Sequence, residues 1–297
     1  MRFCNGWCPD WIRQYKLCKE AIQKTNVVKE LQVKGKFSEL THRAPTPGIE
    51  IFSSSDFEVF KSRELASQQI MEALLDDSNI RIGLHGIRGV GKTTLVKEVY
   101  KKVKGRNIFE DIVMIVVSQT PDVGRIQGEI AGCLNLKFED ESDMARASQI
   151  CLRIKNVEKI FIILDDVWKD VNLEAIGIPS CDDHRGCKKL LTTRSEHICN
   201  LMHCQRKIPL NFLLEKESWV LMKKTTGIVD DYPALNDVVI EVVKECKGLP
   251  IAIITIGKAL IGKSLNDWKA ALHELRKSRL VDIEGVDEEK NAYVCIK

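Results

Sequence analysis

Gly86-Ile87-Arg88-Gly89-Val90-Gly91-Lys92-Thr93-Thr94 has the spacing G-x-x-x-x-G-K-T. Glycines at 86, 89 and 91 let the backbone turn tightly and aim successive N–H groups at phosphate oxygens. Lys92 puts a point charge near the β- and γ-phosphates of a nucleotide, and the Thr93 hydroxyl can ligate Mg²⁺. A helix starting here turns its positive N-terminal end toward the same anion. The flanks agree: Ile80 to His85 predicts a short buried strand, and Thr94 to Lys102 predicts a helix. Strand, loop and helix are the setting a P-loop requires. All nine residues are therefore candidate nucleotide-binding positions.

Further along, strand-like segments at 111–117 and 160–164, a third candidate at 189–193 and a weak one around Ile208 predict additional strands. Helical stretches (122–134 and 143–155) lie among them. Near-continuous apolar strands separated by helices indicate a parallel sheet covered on both faces. From Glu215 the pattern becomes helical throughout, with helices predicted at 215–225, 233–246, 250–262 and 265–279. Gly248-Leu249-Pro250 ends one helix near Lys247 and starts the next at Pro250. Upstream, Ser62 to Leu75 predicts a helix. No internal repeat is evident.

The expected fold is α/β: a P-loop parallel sheet, a small C-terminal helical subdomain and a short helical N-terminal segment. The expected boundaries are a helical segment at 1–40, a Pro/Ser-rich linker at 41–56, the nucleotide-binding domain at 57–205, a helical subdomain at 206–280 and a tail at 281–297.

Two more stretches bear on chemistry. Ile160-Phe161-Ile162-Ile163-Leu164-Asp165-Asp166 is an apolar strand ending in two carboxylates. Delivered to the phosphate edge of the sheet, Asp165 can hold Mg²⁺ and Asp166 can orient or deprotonate an attacking water. The bland alternative, a polar cap after a strand, loses ground once a P-loop lies upstream. Lys188-Lys189-Leu190-Leu191-Thr192-Thr193-Arg194 ends at the same edge, where Arg194 is either a reader of the γ-phosphate or an ordinary surface arginine.

Composition sets the outer bounds. The 297 residues are 44 % hydrophobic and 29 % charged, with a net charge of +3, as in an ordinary globular protein. Residues 1–50 hold nine Lys/Arg against five Asp/Glu, which places the basic excess in the N-terminal segment and gives no case for direct nucleic-acid binding. Eleven cysteines scattered through predicted helices and strands point to reduced thiols. Cys181, His184, Cys187, His197, Cys199, His203 and Cys204 crowd together, but no paired C-x2-C or H-x3-H unit appears and a predicted strand runs through the group. They read as incidental thiols and imidazoles, not a zinc site. No signal peptide or myristoylation signal is visible at Met1-Arg2. The longest apolar run, Leu249 to Ile256, is too short to span a bilayer. The expected setting is cytoplasmic, with membrane-peripheral or nuclear placement as alternatives.

The motifs together resemble one family. The P-loop, Leu164-Asp165-Asp166-Val167-Trp168, Leu191-Thr192-Thr193-Arg194, Glu217-Ser218-Trp219 and Gly248-Leu249-Pro250-Ile251-Ala252 occur in this order. From roughly Cys8 to Lys297 the chain is similar to the NB-ARC module of plant intracellular immune receptors of the coiled-coil class. The resemblance implies a tight ADP-bound resting state, with exchange to ATP as the activating event and slow ATP hydrolysis at most. It implies that Lys92, Thr93 and Thr94 hold phosphates and Mg²⁺, Asp165 the metal and Asp166 the hydrolytic water. Arg194 would match the nucleotide-sensing arginine, and Pro250 the proline that lies against the adenine. Phe57 and Val59 would lie in the stretch closing over base and ribose. Implied partners are other immune receptors or guarded host proteins.

The chain also departs from that pattern. Arg88 stands where the family usually has glycine, which requires a negative φ there. No Met-His-Asp motif is found, and Met202-His203-Cys204 is the nearest approach. The sequence ends about where a winged-helix subdomain is expected, so a truncated receptor is expected. Two other classes compete: a non-cycling adaptor or decoy that pairs with full-length receptors, and a P-loop kinase, for which no arginine-rich lid is apparent.

Overall fold

A computed structural model describes residues 60–139, 142–179, 184–228 and 233–280. The expected segments at 1–40, 41–56 and 281–297, together with Phe57, Val59 and Cys181, lie outside the described residues.

The first described helix, α1 (Lys61–Leu75), leads into β1 (Arg81–His85), the P-loop and α2 (Lys92–Gly105). Then follow β2 (Asp111–Ser118), α3 (Val123–Cys133), α4 (Asp143–Lys155), β3 (Ile160–Val167) and β4 (Cys187–Thr193). A short helix, α5 (Glu196–Leu201), precedes the edge strand β5 (Arg206–Pro209). Four helices complete the chain: α6 (Glu215–Thr226), α7 (Pro233–Glu245), α8 (Pro250–Leu260) and α9 (Leu265–Leu280).

Local chemistry accounts for several of these bounds. The Asp122 and Ser142 side chains accept the amides of Arg125 and Ala145 and so cap α3 and α4. Pro250 occupies the first turn of α8, where its missing N–H is no loss. Lys247 and Gly248, at φ 48° and 73°, make the turn before it. α5 was not expected from the pattern. Its six residues are too few for helical periodicity to register, and its cap, Ser195 accepting from the His197 amide, is the one local signal. α2 begins two residues earlier than expected, so Lys92 and Thr93 lie in its first turn.

All the strands pair in parallel, in the order β2-β3-β4-β1-β5. Side chains alternate across the sheet with period two. Phe161, Ile163 and Leu190 face one apolar layer, and Ile160, Ile162, Leu164 and Leu191 the other. The first layer continues without a break into the core of α6–α9 through Met222, Val242, Ile253 and Trp268. Lys188 is buried on β4, and its ammonium donates to the carbonyls of Asp76 and Asn79 at 2.7 and 2.9 Å, which satisfies a charge the strand pattern would otherwise exclude.

The strand order positions the chemistry. Thr193 is opposite His85 across β4–β1, and Val167 is opposite Thr193 across β3–β4. The C-terminal ends of β1, β3 and β4 therefore emerge side by side. This is the edge at which open α/β sheets bind ligands.

Candidate functional site

The P-loop leaves β1 at Gly86, whose amide donates to the Thr193 carbonyl at 3.2 Å. Gly89 and Gly91 both take positive φ, 76° and 100°, for different reasons. At Gly91 a side chain would meet nothing within 4 Å, so the backbone turn alone requires glycine. At Gly89 a Cβ would fall 2.3 Å from the Ile251 Cγ2, because the start of α8 lies against the loop. The Ile251 amide donates to the Gly89 carbonyl at 3.3 Å, which places Pro250 beside the P-loop. Arg88 is exposed and is not among the positive-φ residues, so the loop accommodates its side chain without backbone strain. Ile87 is also exposed, and Val90 is fully buried.

Lys92 is buried, and its ammonium donates to the carbonyls of Gly86 and Ile87 at 2.6 and 2.9 Å. Burial, helped by the positive charge of Arg194, lowers its pKa to about 8, while Asp166 and Asp165 pull it back up. Thr93 and Thr94 are exposed at the helix start.

Asp165 is buried and accepts two hydroxyls: Thr93 Oγ1 at 2.8 Å and Thr192 Oγ1 at 2.6 Å. The same Thr192 oxygen accepts the Asp166 amide at 2.9 Å. Asp166 sits at φ 58°, within an irregularity of the β3–β4 register between Leu164 and Val167. The left-handed turn separates two adjacent carboxylates, one buried and one partly accessible. Arg194 follows directly, with its guanidinium carbon 3.5 Å from the centroid of the Trp168 ring.

The oxygens of Thr93 and Asp165 are both hard donors, close enough to serve one small cation. Among the described residues no group of three or more His, Cys, Asp or Glu could hold a metal. A Mg²⁺ ion suits such a sparse set, since it keeps waters and takes phosphate oxygens as further ligands.

Of the sequence-predicted positions, the loop Gly86–Thr94, Asp165, Asp166, Arg194 and Pro250 come together at one edge. Phe57 and Val59 lie outside the described residues. Several neighbours had no expected role. Arg63 is buried in α1 and donates to the carbonyls of Val90 at 3.0 Å and Asn211 at 2.8 Å. Nothing in its sequence surroundings marks it. Thr192, by contrast, was legible in principle, as a hydroxyl following Leu190-Leu191 in a strand that ends at the same edge as the carboxylates. Among the described residues no helix is long and apolar enough to cross a membrane.

The chain is similar to known proteins in sequence and in fold. Residues 63–230 match the NB-ARC domain. Disease resistance protein UNI of Arabidopsis thaliana is 30% identical over 283 residues, covering 92% of this chain and 31% of that protein. Disease resistance protein RPS5 of the same plant is 29% identical over 297 residues, covering 96% and 32%. The chain thus spans about a third of the length of the relatives it matches. Among solved structures, Cdc6p from Pyrobaculum aerophilum aligns over 80% of this chain and 71% of its own at TM-score 0.55 and 16% identity. The Aeropyrum pernix ORC1 protein does so over 80% and 72% at TM-score 0.50 and 10% identity. These two share the fold. With its P-loop, paired carboxylates and edge arginine gathered on a parallel sheet, and more than half its length matched, the chain belongs to the NB-ARC domain family.

Proposed function

We propose that this chain is the adenine-nucleotide switch of a plant disease resistance receptor, resting with ADP and activated by ATP, with slow hydrolysis at most. The observation that supports this best is the convergence of Lys92, the Thr93–Asp165 pair and Arg194 on one sheet edge, with α8 lying against the same loop.

In this reading the amides of residues 86–94 and the Lys92 ammonium hold the phosphates. Thr93 and Asp165 would hold Mg²⁺, which would supply charge neutralisation at the phosphates. Asp166 orients a water, its backbone fixed by Thr192. Arg194 meets the γ-phosphate, and Pro250 at the head of α8 lies toward the base. Residues 57–205 and 206–280 act as the two bodies of the switch, and the γ-phosphate biases how one seats on the other. Partners are other receptors or guarded host proteins.

Thermal unfolding with ADP, ATP–Mg²⁺ or neither tests the site. Ligand at about 100 times its Kd adds roughly 2.7 kcal/mol, a rise of about 5–10 °C at this size. Lys92→Ala removes the shift for both nucleotides. A shift that survives in Lys92→Ala, or none with the parent chain, refutes the assignment. Asp166→Ala slows phosphate release at saturating ATP while sparing the thermal shift, and unchanged turnover refutes its role.

A further inference from the structure

Trp168 and Arg194 lie one position past the register pair Val167 and Thr193, at the ends of neighbouring strands. The 3.5 Å separation between the guanidinium carbon and the ring centroid is far tighter than the 5.3 and 5.8 Å of Arg146 over Phe138 and Lys223 over Trp219. The indole Nε1 is buried and finds no hydrogen-bond partner among the described residues. A buried indole N–H ordinarily finds one, so what this ring offers its surroundings is its face.

The contact has a physical purpose at this edge. Arg194 stands close enough to Lys92 for the two positive charges to oppose each other. Attraction to the ring quadrupole offsets that repulsion without using any N–H donor of the guanidinium. The planar group suits both stacking and phosphate recognition. The left-handed turn at Asp166 re-aims the chain two residues before Trp168, which links the ring's position to the carboxylate pair.

We infer that Trp168 is a positioning residue for Arg194, holding the guanidinium at the phosphate edge so that the site distinguishes a nucleoside triphosphate from a diphosphate. This rests on the switch reading proposed above.

Two measurements test it, one without nucleotide. Arg194→Ala changes tryptophan fluorescence in the parent chain and leaves it unchanged in a Trp168→Phe background. Persistence of the change in that background overturns the contact. Calorimetric titration then gives affinities for ADP and for a non-hydrolysable ATP analogue with Mg²⁺. Trp168→Ala weakens the triphosphate about 3- to 10-fold and leaves ADP within about twofold. Trp168→Phe recovers part of the loss, because a phenyl face still holds a cation. Equal losses for the two nucleotides, or none for either, overturn the role of Trp168 while the switch reading stands. A parent chain that binds neither nucleotide overturns both, even where the fluorescence arm succeeds.

Discussion

Lys92 shows how much the surroundings add to a residue whose identity the P-loop spacing already dictates. Its pKa falls from 10.5 to about 8, so the folded chain holds this proton less tightly than the unfolded chain does. The destabilisation is fully present below pH 8 and is relieved as pH rises toward 10.5. A bound phosphate restores the charged form. At pH 9, ADP binding therefore takes up a proton, and the calorimetric enthalpy depends on the buffer's ionisation enthalpy, whereas at pH 7 uptake is near zero. Buffer-independent enthalpy at both pH values contradicts this account. Gly89 is also a sequence-level signal, but its steric reason is tertiary. Gly89→Ala lowers stability by about 1–3 kcal/mol, from a positive φ and a Cβ 2.3 Å from Ile251. Adding Ile251→Ala recovers the steric part only, as urea unfolding of the two variants can measure.

At the scale of elements, the junction of β3 and β4 decides the site. The Leu164-Asp165-Asp166 pattern announces carboxylates at the end of a strand, and a parallel sheet could be argued from strands alternating with helices. The register irregularity and the left-handed Asp166 could not, since neither leaves a compositional mark. Thr192 ties the junction together, donating to Asp165 and accepting from the Asp166 amide. Thr192→Val keeps the shape and removes both bonds, leaving that amide without its partner. Stability falls by about 1–3 kcal/mol, read from the urea midpoint at unchanged slope, and ATP turnover falls with it. A midpoint equal to the parent's refutes the importance assigned to this hydroxyl.

Across the whole molecule, the helices from α6 onward are fastened to α1 by Glu217. Its carboxylate accepts the Ser62 amide and hydroxyl at 3.0 and 2.7 Å and the Leu214 amide at 3.0 Å. Burial pushes the carboxyl upward, but these donors and nearby Arg63 carry it below its ordinary value. Its contribution is present above the unfolded pKa of 4.5 and is lost as pH falls through the lower folded value. Glu217→Gln accordingly costs about 1–2 kcal/mol at pH 7 and less at pH 3, below the 4.5 at which the unfolded chain's carboxyl takes up its proton. Equal losses at both pH values argue against a charged clasp. The α/β class, the succession of strands and longer helices along the chain, and the roles open to Lys92, Thr93, Asp165 and Asp166 were legible in the sequence itself. These depend on local periodicity, turn chemistry and fixed spacing. Only the tertiary structure decided that Ile251 closes on Gly89, that Arg63 reaches the loop, that Thr192 bridges two acids and that Trp168 holds Arg194. Each of those joins residues far apart in the chain, and such contacts arise from strand order and packing, which no local pattern encodes.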